Sequence, residues 1–275
     1  MKRVVLVMIT ALFCGALFTS CVADNNFDLD VKNVQSAEVL FEKLEAAYQL
    51  SSANDLEEFF KEWNSSVSSD AVNNIKRDKV VEEIYEIYKT FYNPLDLTKL
   101  GDWEWGNSLN SNSKYVVIQN NIKYAVLEEE LLEKYYYSGI YESINYITID
   151  DFRPPLSLPK NKVLYLVPEY KNSLNMFLGT ESTEIGENGI MTPSIPKGDS
   201  DKRYSFIRPY IPVLHGHWGG YWHIATHPEI SEIFIDTKHV VAKVFFRVGF
   251  QGGEATMKKK SHKWVIENSQ ATWIE

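Results

Sequence analysis

Apolar and polar positions alternate most regularly near the end of the chain. From Val240 to Phe250, residues Val240, Ala242, Val244, Phe246, Val248 and Phe250 fall on one face, with Val241, Lys243, Phe245 and Arg247 on the other. A period of two is the mark of a half-buried strand. ISEIFID precedes this run, and EATMKKK and KWVIENSQATWI follow it. A hairpin turn is expected at Gln251–Gly253, where glycine supplies positive backbone angles, and another near Ser261 and His262. The pattern predicts an antiparallel meander of long strands.

The first half follows a helical period instead. Leu40, Leu44, Ala47 and Tyr48 share one helical face. Leu56, Phe59, Phe60 and Trp63 share a second, and Val81, Ile84, Tyr85, Tyr88, Phe91 and Tyr92 a third. Ser36 and either Asn54 or Asp55 are expected as N-caps, and Pro94 ends the third helix. KYVVIQNNIKYAVLE predicts a hairpin turning at Asn120 and Asn121, residues that tolerate the left-handed conformation. INYITIDDF predicts a strand. VLYL followed by PEYKNSLNMFLG predicts a strand leading into a helix that begins at Pro168 and is capped by Gly179. The polar, Gly-, Pro- and Ser-rich stretch after it predicts a long flexible loop.

The chain is expected to be α+β, with N-terminal helices packed on a curved, mainly antiparallel sheet that ends in a long C-terminal meander. A signal peptide is expected over 1–20 and a tether that opens at Cys21 over 21–35. One domain follows over 36–275, helical at 36–95, mixed at 114–178, a flexible loop at 179–203 and an antiparallel meander at 204–275.

The start of the chain changes the picture of where the protein works. Lys2 and Arg3 precede an apolar run from Val4 to Phe18, and Thr19 and Ser20 stand before Cys21. A basic start, a short apolar run and small residues at the cleavage point describe a secretory signal. The stretch resembles a bacterial lipobox, in which cleavage leaves the cysteine as a lipid-modified first residue; Phe18 stands where leucine is more usual. Asp24, Asp28 and Asp30 resemble the acidic tether of Bacteroides-type lipoproteins. The resemblance implies export and anchoring to the outer membrane through acyl chains such as palmitate, on the periplasmic or the surface side. Of the two cysteines, Cys14 leaves with the signal, so no disulfide pair remains and stability rests on the core. The formal net charge of −9 becomes two units more negative without Lys2 and Arg3. That balance argues against nucleic acid as a partner.

Helices first, then a strand and helix, then a meander ending in GGEATMKKKSHKWVIENSQATWIE, resemble the cone-shaped fold named after nuclear transport factor 2. Gly252, Gly253, Trp264 and Trp273 carry the resemblance. It implies a curved sheet on helices with a pocket at the open end, and a family whose functions run from small-molecule enzymes to binding modules.

Candidate chemistry concentrates in LHGHWGGYWHIATHP, which holds His215, His217, His223 and His227, four of the six histidines. On an extended strand His215 and His217 share a side about 7 Å apart. His-x-His is a spacing that metal sites use, and Asp151, Glu229 or Glu254 could complete a Zn-type shell. A tight corner packed with aromatics produces the same composition. Trp103, Trp105, Trp218, Tyr221 and Trp222 are candidate stacking surfaces for sugars. Arg153, Arg208 and Arg247 are candidate anion contacts, with Arg247 facing either a pocket or solvent. No nucleophile elbow, phosphate-cradling loop or dinucleotide fingerprint is present, and no thiol remains once Cys21 is lipidated.

The reading that follows is a lipid-anchored envelope protein that binds a small molecule, a glycan or a partner protein without catalysis. A metal-dependent hydrolase using the His215–His227 cluster is the alternative. No cofactor is expected in the first reading; a divalent metal ion is required by the second.

Overall fold

A computed structural model describes residues 34–69, 77–101, 110, 112–132, 144–179, 181–185, 191–193, 197–216 and 221–274. The signal, Cys21 and most of the tether lie outside the described residues. No helix among those described is long and apolar enough to cross a membrane.

Three helices open the fold: α1 (Ala37–Gln49), α2 (Ala53–Ser66) and α3 (Lys79–Phe91). Each is started by a side chain that accepts a bond from an otherwise orphaned amide. Ser36 caps α1 as expected, and Asp78 caps α3. The cap of α2 is Ser52, not Asn54 or Asp55; its hydroxyl accepts from the Asp55 amide at 3.3 Å, which places the two later residues inside the first turn. The three apolar faces are buried as their spacing predicts, except that Tyr48 and Val81 are half-buried.

The chain continues through β1 (Tyr115–Gln119), β2 (Ile122–Leu127), β3 (Ile147–Ile149) and β4 (Lys162–Leu166). The hairpin expected at Asn120 and Asn121 does not form. β1 pairs in parallel with β4 in a separate two-stranded sheet, and β2 enters the main sheet. The asparagines mark a crossing between sheets. Asn120 is fixed there by its side-chain bond to Asp151 and by the Phe152 amide, which donates to its carbonyl at 2.7 Å.

From β4 the chain passes into α4 (Pro168–Leu178), which starts on Pro168 and ends at Gly179 with φ 76°, a conformation that favours glycine. The stretch 179–203, expected as a flexible loop, instead carries an antiparallel pair, β5 (Glu181–Ile185) with β6 (Met191–Pro193), and the start of α5 (Lys197–Ile207). Helix α5 has only a short apolar face, with Ile207 buried and Tyr204 and Phe206 packed on the core, and an ionic anchor adds to it. Arg203, 8% exposed, bonds Asp199 one turn back, Glu45 on α1 and the carbonyl of Phe177 on α4.

The last third forms β7 (Leu214–His215), β8 (Trp222–His223), β9 (Glu229–Asp236), β10 (Val241–Val248), β11 (Gln251–Lys260) and β12 (Lys263–Ile274). The fold is α+β. Its main sheet has the order β12-β11-β10-β9-β2-β3, antiparallel except where β2 lies parallel to β9. The meander β9–β12 forms as its alternation predicts, with Ala242, Val244, Phe246 and Val248 buried. The turn expected at Gln251–Gly253 sits two residues earlier. Gly249 takes the positive φ, Val248 pairs with Gln251, and the two later glycines lie within β11 at a break in register with β12. The turn at Ser261 and His262 is as expected, both residues having positive φ.

One buried cluster runs from Leu40 on α1 to Trp264 on β12. Helix α3 lies on the sheet through Phe91 against Phe246, and through Glu83 bonded to Lys259 and Trp264. Trp63 on α2 stacks on Tyr170 of α4 at 4.4 Å and donates to the Tyr165 carbonyl of β4 at 3.0 Å. Replacing so central a ring leaves a cavity and an unpaired carbonyl. Trp63→Ala is expected to lower stability by about 4 kcal/mol in chemical denaturation; a loss below about 1 kcal/mol would show that this seam contributes little.

Candidate functional site

The segment from the start of β8 at Trp222 to the start of β9 at Glu229 does not run straight. Four extended residues would set His223 and His227 about 13 Å apart. Their ring centroids are instead 5.6 Å apart. The bend is held by hydrogen bonds made away from the histidine rings. Thr226 donates its amide to the Val117 carbonyl at 2.7 Å, and the Val117 amide donates to the Thr226 hydroxyl at 2.8 Å. The Tyr92 hydroxyl donates to the Thr226 carbonyl at 3.1 Å, and the Asn110 side-chain amide donates to the His227 carbonyl at 2.8 Å.

Glu229, the first residue of β9, completes the group. One ligand atom from each of His223, His227 and Glu229 lies within 4.8 Å of the others. Arg247 of β10 stands opposite Glu229 in register. Its Nη1 is 3.3 Å from His223 Nε2. A guanidinium only donates, so Nε2 accepts and the His223 proton sits on Nδ1, which is 3.6 Å from Glu229 Oε2.

His227 is fully buried, and neither of its ring nitrogens has a hydrogen-bond partner among the described residues. Burial, with His223 and Arg247 nearby, depresses its pKa to about 4 against the pull of Glu229. The Glu229 side chain is 38% exposed. Burial pushes its carboxyl up, but the contact with His223 and the nearness of His227 and Arg247 outweigh that and hold it below the usual carboxylate value.

His223, Glu229 and Arg247 line a cavity of about 570 Å³ at the end of the sheet where β9 starts and β10 finishes. Its other walls include Tyr221, Trp222, Lys123, Lys171 and Gln119. Tyr221 is 37% exposed and sets its ring edge-on to His223 at 5.1 Å. Trp222 is buried, stacks on Tyr204 and donates to the Gly179 carbonyl at 3.0 Å. Gly216 makes room for Tyr221, since a Cβ there would come within 2.6 Å of its ring.

The structure thus brings together His223, His227, Glu229, Tyr221, Trp222 and Arg247 from the expected set. It leaves out several others. His215 is at the edge of Trp222, with Nδ1 2.8 Å from the Gly216 carbonyl oxygen, and is not part of the three-residue group. Asp151 is paired with Arg153, whose buried guanidinium also donates to the Ser68 carbonyl; both serve the fold. Glu254 accepts from Gln270 and faces Lys243 at 3.9 Å. Arg208 lies over Tyr204, away from the cavity lining. His217, Trp218, Trp103 and Trp105 lie outside the described residues. Lys171 and Gln119 were not singled out from the sequence, because nothing in their local pattern separates them from ordinary surface residues.

Compared with known proteins, the chain matches no family model, no curated protein and no solved structure.

The buried, neutral His227 makes stability depend on pH in a definite direction. Its folded pKa lies below the unfolded value near 6.5, so its contribution is whole above pH 6.5 and is lost as pH falls toward 4. In metal-free protein, unfolding free energy is expected to drop by about 2 kcal/mol between pH 7.5 and pH 5. Denaturation at the two pH values should show this, and a His227→Leu variant should show less of it. Equal pH dependence in both proteins would remove His227 as the cause.

Proposed function

We propose that this chain is an exported, lipid-anchored protein of the bacterial cell envelope that binds a small polar or saccharide ligand without transforming it. The observation that carries the reading is the cavity. Its volume of about 570 Å³ falls within the range of about 300–1,000 Å³ usual for ligand sites. Its wall combines an accessible aromatic ring, Tyr221, with hydrogen-bonding and charged groups of both signs: His223, Glu229, Arg247, Lys123 and Lys171. A sugar-sized molecule suits such a lining, because one face of a ring can stack on tyrosine while its hydroxyls meet the polar groups. The mixed charge also fits a zwitterion or small carboxylate.

The anchor at Cys21 and the outer-membrane location rest on the signal-like start of the chain. Kinship with the nuclear transport factor 2 fold belongs to the same proposal. It is supported by helices packed on a sheet with several register breaks and by a cavity at one end of that sheet.

The test is a screen of mono- and oligosaccharides and small carboxylates against the full chain, read by tryptophan fluorescence and thermal shift. Saturable binding that Tyr221→Ala weakens about tenfold is the expected result, in line with loss of one stacking contact. Gly216→Ala is expected to weaken the same ligand, because the added methyl displaces the Tyr221 ring. A screen with no saturable ligand would sink the proposal, as would a ligand that both variants bind as well as the unaltered chain.

A further inference from the structure

We infer that His223, His227 and Glu229 form a binding site for one divalent transition-metal ion of the zinc type, set in the wall of the cavity. The inference goes beyond the binding reading and does not depend on it.

Two independent observations carry it. The first is convergence: two imidazoles and a carboxylate bring ligand atoms within 4.8 Å of one another. An ion about 2.0–2.2 Å from each donor closes that gap with small side-chain rotations. The second is the state of His227. It is completely buried and both ring nitrogens lack partners among the described residues, although buried polar groups are nearly always paired. A metal ion supplies the missing partner for one nitrogen. Its backbone is already fixed by Asn110 and by the bonds at Thr226, so the residue is placed beside His223 before any ion arrives.

The ligand types select the ion. Nitrogen and carboxylate donors without thiolate suit zinc, cobalt or nickel better than the all-oxygen sites of calcium and magnesium. His223 and Glu229 line the cavity, whereas His227 is buried outside its lining. Three protein donors leave a coordination position open toward the cavity, unlike the closed four-donor shell of structural zinc sites. A cavity ligand with an oxygen donor would complete the coordination.

Arg247 sets the cost. In the metal-free state it donates toward His223 Nε2, which leaves the proton on Nδ1 facing Glu229. For His223 to give Nδ1 to an ion, its proton must move to Nε2, where the guanidinium cannot accept it. The arginine has to withdraw, and its charge repels the ion as well. Glutamine at 247 removes the charge and can accept the Nε2 proton.

The experiment is titration of the full-length, untagged chain in detergent with zinc(II) and cobalt(II), followed by calorimetry and by visible absorption of cobalt. One ion per chain is expected, with cobalt bands of a four- or five-coordinate site. Glu229→Gln and His227→Gln should each weaken binding at least about tenfold, and Arg247→Gln should tighten it roughly tenfold. His215→Gln should leave affinity unchanged. Circular dichroism melts establish that each variant is folded; if His227→Gln is not, the half-exposed Glu229 decides. Absence of stoichiometric binding would overturn the site, as would full affinity in folded Glu229→Gln or loss of affinity in His215→Gln. Weaker binding in Arg247→Gln would remove His223 as a donor. The metal ion alone is the probe, so failure of the ligand screen leaves this result untouched, and the reverse holds too.

Discussion

The arrangement of the site depends on one reciprocal pair of hydrogen bonds, between Thr226 and Val117, residues 109 positions apart in sequence. Val117 is central in β1, which belongs to the small parallel sheet, and Thr226 belongs to the bend that feeds the main sheet. The pair joins the two sheets at the point where His223, His227 and Glu229 are set. Thr226 is almost fully buried, as is Val117, so each group would be costly to leave unpaired. Tyr92 and Asn110 add bonds to the next carbonyls along the bend. A short irregular segment is thereby held as firmly as a strand, without a strand's spacing, and that is what allows residues four apart to face one another.

Charge at the site is balanced rather than dominant. Glu229 and Arg247 lie opposite in register, with His223 touching the arginine and close to the carboxylate. Behind them, the rings of Tyr88 and Tyr92 stack at 5.2 Å, and Glu229 helps burial to raise both phenols well above their usual value. The tyrosines therefore stay protonated and neutral, and the carboxylate stays ionised. Such a wall offers donors, acceptors and lone pairs in a partly dry setting, where each interaction is stronger than in water.

Much of the architecture was legible because it follows from short periods. The alternation from Val240 to Phe250 sets the face of β10, and the stripes through Leu56–Trp63 and Ile84–Phe91 set two helices. Errors fell where a tertiary contact overrode local signals. Asn120 and Asn121 have the chemistry of a hairpin turn, yet β2 is claimed by β9 and β3 and leaves β1 to β4. Lys197–Ile207 shows too short an apolar stripe to read, and its helix is seated by buried Ile207 and by Arg203 reaching Glu45 and Phe177, contacts that no window of sequence contains. At the site, His223, His227, Glu229 and Arg247 could all be named from the sequence. Their grouping could not, because an extended reading sends His223 and His227 too far apart and makes His215 the natural partner of His217.

The parallel pairing of β2 with β9 has a consequence for how the molecule is assembled. The four strands of the meander are neighbours in sequence and can pair as each emerges, but β2 stays without its inner neighbour until the chain beyond Glu229 has been made. Closure of the sheet is therefore a late, long-range event, of the kind that slows folding because much loop entropy is lost before the contact is gained. The bend at Thr226, the cavity wall and the three candidate donors all form at that same step. A chain interrupted before β9 would lack both the strands on which α3 rests and the third donor, Glu229.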